Sequence, residues 1–322
     1  MNGNNKRNKK INKFKGLCNI SQKDLKKKLV NILQASGYKV HNEDGFVFAQ
    51  GELPVLLVAH MDTVHKRLPE IIFEKKEDNK TILSSPYGIG GDDRCGIFMV
   101  LEIIKELRCS VLFTEDEEIG GIGANKFSKS KYVDELKVNY IMEFDRANAE
   151  DAVFYYCDNP DFTKFITQEF YNEEYGSYSD IVDVAPALGV AAVNLSCGYY
   201  KAHTIEEYVV WEEMLASINQ AKKIIAQDVQ EPFEYIEAEH IFDDYWGSGW
   251  GNYWGSYGSL YNRYEETYQT FYIVYYENGN QTMSEVEAMN KDAALLDFLM
   301  WHDSVPYKDI IEIFSESELN SY

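Results

Sequence analysis

The sequence predicts an α/β fold, a mostly parallel central sheet flanked by helices, followed by a small α+β C-terminal domain. Three observations carry this. Short continuous apolar runs, "PVLLVAH", "CSVLFTE", "VNYIMEFD" and "VAAVNLSCG", have the length and character of strands buried on both faces. Stretches with helical spacing alternate with them, as in strands joined by crossover helices. The first three runs also end in a histidine or a carboxylate, at the edge where such sheets bind ligands.

The elements follow in order. "SQKDLKKKLVNILQAS" begins with a capping serine, repeats Leu25, Leu29, Ile32 and Leu33 at helical spacing, and is closed by Gly37. "YKVHNEDGFVFAQG" reads as a hairpin turning at Asp44-Gly45, and "EIIFEKKEDNKTILSS" as another turning at Asp78-Asn79. "RCGIFMVLEIIKELR", "DNPDFTKFITQEFYNE" and "IEEYVVWEEMLASINQAKKIIAQ" read as helices. Beyond residue 228 the chain turns acidic and rich in Gly and aromatics, with Trp246, Trp250 and Trp254 four apart. A tethering linker is the plainer reading of this stretch, an aromatic docking surface the alternative. "TFYIVYYENGNQTMSEVEAM" is a hairpin about Asn278-Gly279, "KDAALLDFLMWHD" a helix and "YKDIIEIF" a returning strand. The expected organisation is a basic disordered tail (1–16), a catalytic domain (17–228), a linker (229–269) and a small ββα-type domain (270–322). The last carries no visible chemistry and suits a protein partner.

The 322-residue chain is 45% hydrophobic, as a globular protein is, and has no apolar run of membrane-spanning length. The basic N-terminus lacks the apolar stretch of a signal peptide. A net charge of −22 repels nucleic acid and anionic membrane. Five scattered cysteines (Cys18, Cys95, Cys109, Cys157, Cys197) form neither a disulfide framework nor a metal knuckle. A cytoplasmic protein with reduced thiols is expected.

Five stretches carry the chemistry. In "VAHMDTV", His60 and Asp62 point to the same side of a strand, so one can bind metal while the other holds the second ring nitrogen. "GIGGDDRCG" places two adjacent carboxylates at a helix start after three glycines. "LFTEDEEIGGIGA" ends a buried strand in four acids, where one carboxylate can bind metal and its neighbour act as a base. "IMEFDRAN" ends in Asp145, and "YYKAHTIEEYV" sets His203 before a helix. Each alone has an ordinary structural explanation. Together they form a nitrogen and oxygen donor set suited to two zinc or similar divalent ions, with no sulfur.

This ordered series resembles the co-catalytic di-zinc exopeptidases, a superfamily that includes peptidase T, aminoacylases and aminopeptidases. The resemblance spans residues 50–216. It implies that His60, Asp92 and Asp145 hold one ion and that Asp92, Glu118 and His203 hold the other. Asp92 would bridge, Asp62 would orient His60, and Glu117 would be the general base. It also implies a cis peptide at Asp92-Asp93. Arg94 stands where the family usually has a lysine. The implied cofactors are two Zn2+, or Co2+ or Mn2+, and the implied activity is amide hydrolysis by a water shared between the ions. The expected substrate is a small peptide or an N-acyl amino acid. Residues 146–202 are too few for the lid domain that many members insert there, so nearby loops must set specificity. Arg146, Asn148, Tyr178, Ser179, Tyr199 and Tyr200 are the candidates. An aminopeptidase or di/tripeptidase is the first reading, a deacylase the second, and a non-catalytic binding protein that kept the fold the third.

Overall fold

The computed structural model describes residues 3–176, 178–238, 269–277, 280–288 and 310–315, with Lys291, Ala294 and Phe298. Two compact units divide the chain, Met1–Asp244 and Tyr245–Tyr322.

The first unit opens with helices α1 (Gly3–Cys18) and α2 (Gln22–Ala35). Ser21 caps α2 by accepting the Asp24 N–H, and Leu25, Leu29 and Leu33 are its buried stripe. Strands β1 (Val40–Glu43) and β2 (Phe46–Ala49) pair about Asp44-Gly45, with Gly45 at φ 95°. Strand β3 (Leu53–His60) is followed by the hairpin of β4 (Phe73–Glu77) and β5 (Lys80–Ser84). Next come α3 (Gly91–Ile103), β6 (Cys109–Thr114), α4 (Ile122–Ser128), α5 (Tyr132–Glu135) and β7 (Tyr140–Arg146). The unit continues through β8 (Asp151–Val153), α6 (Pro160–Thr167), β9 (Asn172–Glu174), α7 (Ile181–Leu188) and β10 (Ala192–Ser196). It ends with β11 (Tyr199–Tyr200), β12 (Tyr208–Val210) and α8 (Trp211–Ile225).

The main sheet runs β1-β2-β6-β3-β7-β10-β8-β9. Its centre, β6-β3-β7-β10, is parallel, so the carboxyl ends of four strands share one edge. Helices cover both faces. Phe14 of α1, Leu29 of α2, Phe98 of α3 and Trp211 of α8 join one apolar cluster, while Phe127 of α4, Tyr132 of α5 and Ile181 of α7 join another. A second sheet, β11-β12-β5-β4, was not foreseen.

Several expectations need correction. Residues 1–16 were expected to be a disordered tail, but Gly3–Cys18 is a helix that buries Ile11, Phe14 and Leu17. The spacing of three was legible, but the lysines between these residues hid it. Of these, Lys15 reaches outward to Glu74 at 2.7 Å. The linker was expected from 229, yet residues 229–238 pack onto the first unit. Phe233 and Tyr235 lie against the core, and Val190–Glu234 and Cys157–Glu237 form bridges. The helix read from "IEEYVV" starts only at Trp211, because Tyr208–Val210 pairs with Ile82–Ser84. The helix read over "DNPDFTKFITQEFYNE" stops at Thr167, and Asn172–Glu174 pairs with β8. Helix α7 was missed, its reading obscured by an internal proline, Pro186.

In the second unit, β13 (Gln269–Glu277) lies between β14 (Asn280–Ala288) and β15 (Ile310–Ser315), all antiparallel. Phe271, Ile273, Tyr275, Ala294 and Phe298 are its buried cluster. The helix read over 291–303 falls mostly outside the described residues, as do the three linker tryptophans. Among the described residues no helix is long and apolar enough to cross a membrane.

Candidate metal centre

The parallel register brings the chemistry to one edge. His60 pairs with Thr114, so the acids that follow Thr114 emerge beside His60. Val58 pairs with Glu143, which sets Asp145 level with His60. Asp92 stands at the start of α3, and His203, at φ 63°, on the loop between β11 and β12. The Asp92-Asp93 peptide is cis.

Asp92 lies between the two imidazoles. Its Oδ1 is 3.0 Å from His60 Nε2 and its Oδ2 is 3.1 Å from His203 Nε2. Asp145 Oδ1 is 3.2 Å from the same His60 nitrogen, and Glu118 Oε2 is 3.1 Å from the same His203 nitrogen. Ligand atoms of His60, Asp92 and Asp145 thus cluster within 4.8 Å, as do those of Asp92, Glu118 and His203, and those of His60, Glu117 and Glu118. His60 is 1% exposed and His203 41%, so the centre opens on the His203 side.

The surrounding residues hold these groups in place. Asp62 Oδ1 is 3.1 Å from His60 Nδ1. The same carboxylate accepts the backbone N–H of Glu117 at 3.0 Å and of Glu118 at 3.1 Å. Asp116, at φ 62°, makes the reversal that aims these N–H groups inward. Asp93 faces away from the imidazoles: it accepts the N–H of His60 at 3.1 Å and of Gly96 at 2.7 Å. Arg94 is buried and donates to the carbonyls of Met61 and Ile20. Its two-pronged head thereby ties the chain beside His60 to the segment before α2.

Negative charge is in surplus. Burial, with the charges of Asp145, Asp180 and Glu118, pushes Glu117 up to about 10. Burial and Asp92 push Asp145 up to about 7. Hydrogen bonds to Asp92 and Glu118 raise His203 to about 11. Burial opposes protonation of His60, but Asp145, Asp62 and Asp92 outweigh it and hold that imidazole well above its usual range. Asp92 also loses solvation on burial, yet hydrogen bonds from both imidazoles lower it. Glu118 Oε1 is buried with no hydrogen-bond partner among the described residues. A nitrogen and oxygen donor set with an orphaned carboxylate oxygen, in which protons stand in for positive charge, fits divalent cations.

The proposed specificity residues fare unevenly. Ser179 is fully buried, its Oγ bonded to Glu143 and 3.2 Å from Asp145 Oδ2. Tyr199 is also buried and donates to the Asp145 carbonyl at 3.0 Å. These two support Asp145 from beneath and present nothing to a substrate, which corrects their expected role. Arg146 and Asn148 both bond Asp151, at 3.2 and 2.8 Å. Tyr200 donates to Glu213 and stacks on Tyr208. Tyr178, half-buried, packs over Gly121 and donates to Asp183 at 3.2 Å. Asn194 was missed. It accepts the Asp145 N–H at 2.8 Å and donates to Ser179 at 3.0 Å, and a lone amide inside "VAAVNLSCG" was the available signal.

Residues 48–186 match the model of peptidase family M28. That span holds His60, Asp92, Glu117, Glu118 and Asp145, and it ends before His203. No curated protein matches the sequence. Among solved structures, aminopeptidase PepT from Bacillus cereus ATCC 10987 is similar with a TM-score of 0.56 and 14% identity, over 67% of this chain and 97% of that one. A tripeptidase from Staphylococcus aureus gives 0.52 and 16%, over 68% and 98%. Aminopeptidase APDkam598 from Desulfurococcus kamchatkensis gives 0.52 and 14%, over 69% and 96%. At these identities the likeness is one of fold.

Proposed function

We propose that the chain is a zinc metallopeptidase built on the co-catalytic exopeptidase fold and that it removes N-terminal residues from small peptides. The observation that supports this most is Asp92, whose two oxygens each face one imidazole. One ion would be held by His60, Asp92 and Asp145, the other by Asp92, Glu118 and His203. Zinc suits these donors, with cobalt or manganese as substitutes. When bound, such ions supply Lewis acidity toward a carbonyl oxygen and bring a water's pKa near neutrality. Glu117 is the residue that would take up a proton at a side-chain oxygen and deliver it to the leaving amine. Its backbone is fixed by Asp62, so the carboxylate is aimed before substrate arrives.

The acidic surplus also bears on substrate choice. A peptide with a free ammonium terminus is attracted to it, whereas an N-acyl amino acid brings only a carboxylate. Arg146, the cation next to Asp145 in sequence, is already engaged with Asp151. Aminopeptidase is therefore preferred over deacylase. The buried, unpaired cysteines support a reducing compartment such as the cytoplasm. The C-terminal three-stranded sheet would serve a protein partner.

The test uses the full chain loaded with zinc and offered short peptides with free and with acetylated N-termini. Cleavage of the free forms alone is expected. Cleavage of N-acyl amino acids alone would make it a deacylase. A protein that takes up no divalent ion would be the non-catalytic alternative.

A further inference from the structure

We propose that Glu207, backed by His65, is a positioning residue that fixes Asp92 relative to His203. This rests on the metal-centre reading above. Glu207 is fully buried, and both its oxygens are in use. Oε1 accepts the N–H of Asp92 itself at 2.9 Å. Oε2 accepts the N–H of Gly90 at 2.8 Å and lies 2.7 Å from His65 Nε2. The carboxylate therefore does not touch the ligand side chains. It grips the backbone from which Asp92 projects.

Three ligand-bearing segments meet at this carboxylate. Glu207 ends the short loop that carries His203, so its bonds tie that loop to the start of α3. His65 follows His60 and Asp62 by a few residues, so its contact adds the end of β3 to the same knot. The glycines of "GIGG" make the approach feasible. A Cβ on Gly88, at φ 82°, would lie 2.1 Å from the His65 ring. A Cβ on Gly91 would lie 2.9 Å from side-chain atoms of both Tyr199 and Val209, and 3.3 Å from Glu207 Oε1. The glycine run thus admits a supporting carboxylate and imidazole. A carboxylate with no role at the centre would have no need to bond the main chain of the bridging residue. Supporting residues of this kind set the affinity of a metal site through the aim of its ligands.

The experiment measures zinc affinity by chelator competition on the full chain, with unfolding temperature in chelator and kcat and KM at saturating zinc. Glu207→Gln keeps the volume but turns one acceptor into a donor facing N–H groups. We expect about a 10- to 100-fold loss of zinc affinity, with kcat recovered by excess zinc and KM little changed. Glu206→Gln, at an exposed side chain paired with Lys201, should match wild type. A Glu207→Gln protein that unfolds at a lower temperature in chelator but binds zinc as tightly as wild type would overturn the proposal, leaving Glu207 a stabilising residue only. If that variant does not fold, His65→Gln decides: weaker zinc binding supports the proposal and unchanged binding overturns it. Wild type that binds no zinc would instead sink the metal-centre reading itself.

Discussion

Asp62 accepts the backbone N–H of Glu117 at 3.0 Å, with the same oxygen that lies 3.1 Å from His60 Nδ1. One carboxylate thus sets the aim of the His60 imidazole and the position of the candidate base. Replacing it with asparagine should damage both. Asp62→Asn is expected to weaken zinc binding about 10- to 100-fold and to lower kcat further at saturating zinc. Recovery of full kcat once zinc saturates would show that the link to Glu117 is unimportant.

Glu117→Ala separates binding from chemistry. The proposed triads around Asp92 do not require Glu117, so elemental analysis should still find about two ions per chain. Hydrolysis should fall about a hundred- to ten-thousandfold, the usual contribution of a positioned acid or base. Full activity in this variant would remove Glu117 from the mechanism.

Without metal, stability should fall as pH rises. Glu117 is raised from 4.5 to about 10 and His203 from 6.5 to about 11. Between about pH 5 and pH 10 the folded protein therefore holds more protons than the unfolded chain, and the slope of stability with pH is negative. Asp62 and Asp92, lowered by their histidines, act in the opposite sense but only in acid, below about pH 4. Urea titrations in chelator at pH 6 and pH 9 should show the loss, and saturating zinc should remove most of it. Equal stability at both pH values in chelator would contradict the charge balance described above.

Phe14 tests the N-terminal helix. It is fully buried and sits 5.7 Å from Phe98 and 6.1 Å from Trp211, ring centre to ring centre. Phe14→Ala should cost about 3–5 kcal/mol, read as a lower urea midpoint. An unchanged midpoint would mean that α1 does not dock.

The sequence by itself determined the central architecture and the donor set. Runs such as "PVLLVAH" are unbroken because both faces of a parallel strand are buried, and that pattern survives without any knowledge of neighbours. His60, Asp92, Glu117, Glu118 and Asp145 were legible because each stands at or just past a strand end or at a helix start, whereas His203, read before a helix, lies on the loop between β11 and β12. Only the tertiary structure decided what holds them. Asp92, expected over Asp93 through the resemblance, does face both imidazoles, but only the fold shows that Asp93 turns to the backbone N–H groups of His60 and Gly96. Glu207 and His65, far apart in sequence, become partners because β12 pairs with β5 and brings the His203 loop over the "GIGG" turn. Ser179 and Tyr199, read as substrate contacts, lie beneath Asp145 because burial depends on which elements stack above a residue. The helix at Gly3–Cys18 was hidden for the same reason: three apolar residues among lysines become a docking face only when Phe98 and Trp211 are there to receive them. Periodicity and residue type record a segment's own preferences, whereas contacts between distant segments are fixed when the sheet closes.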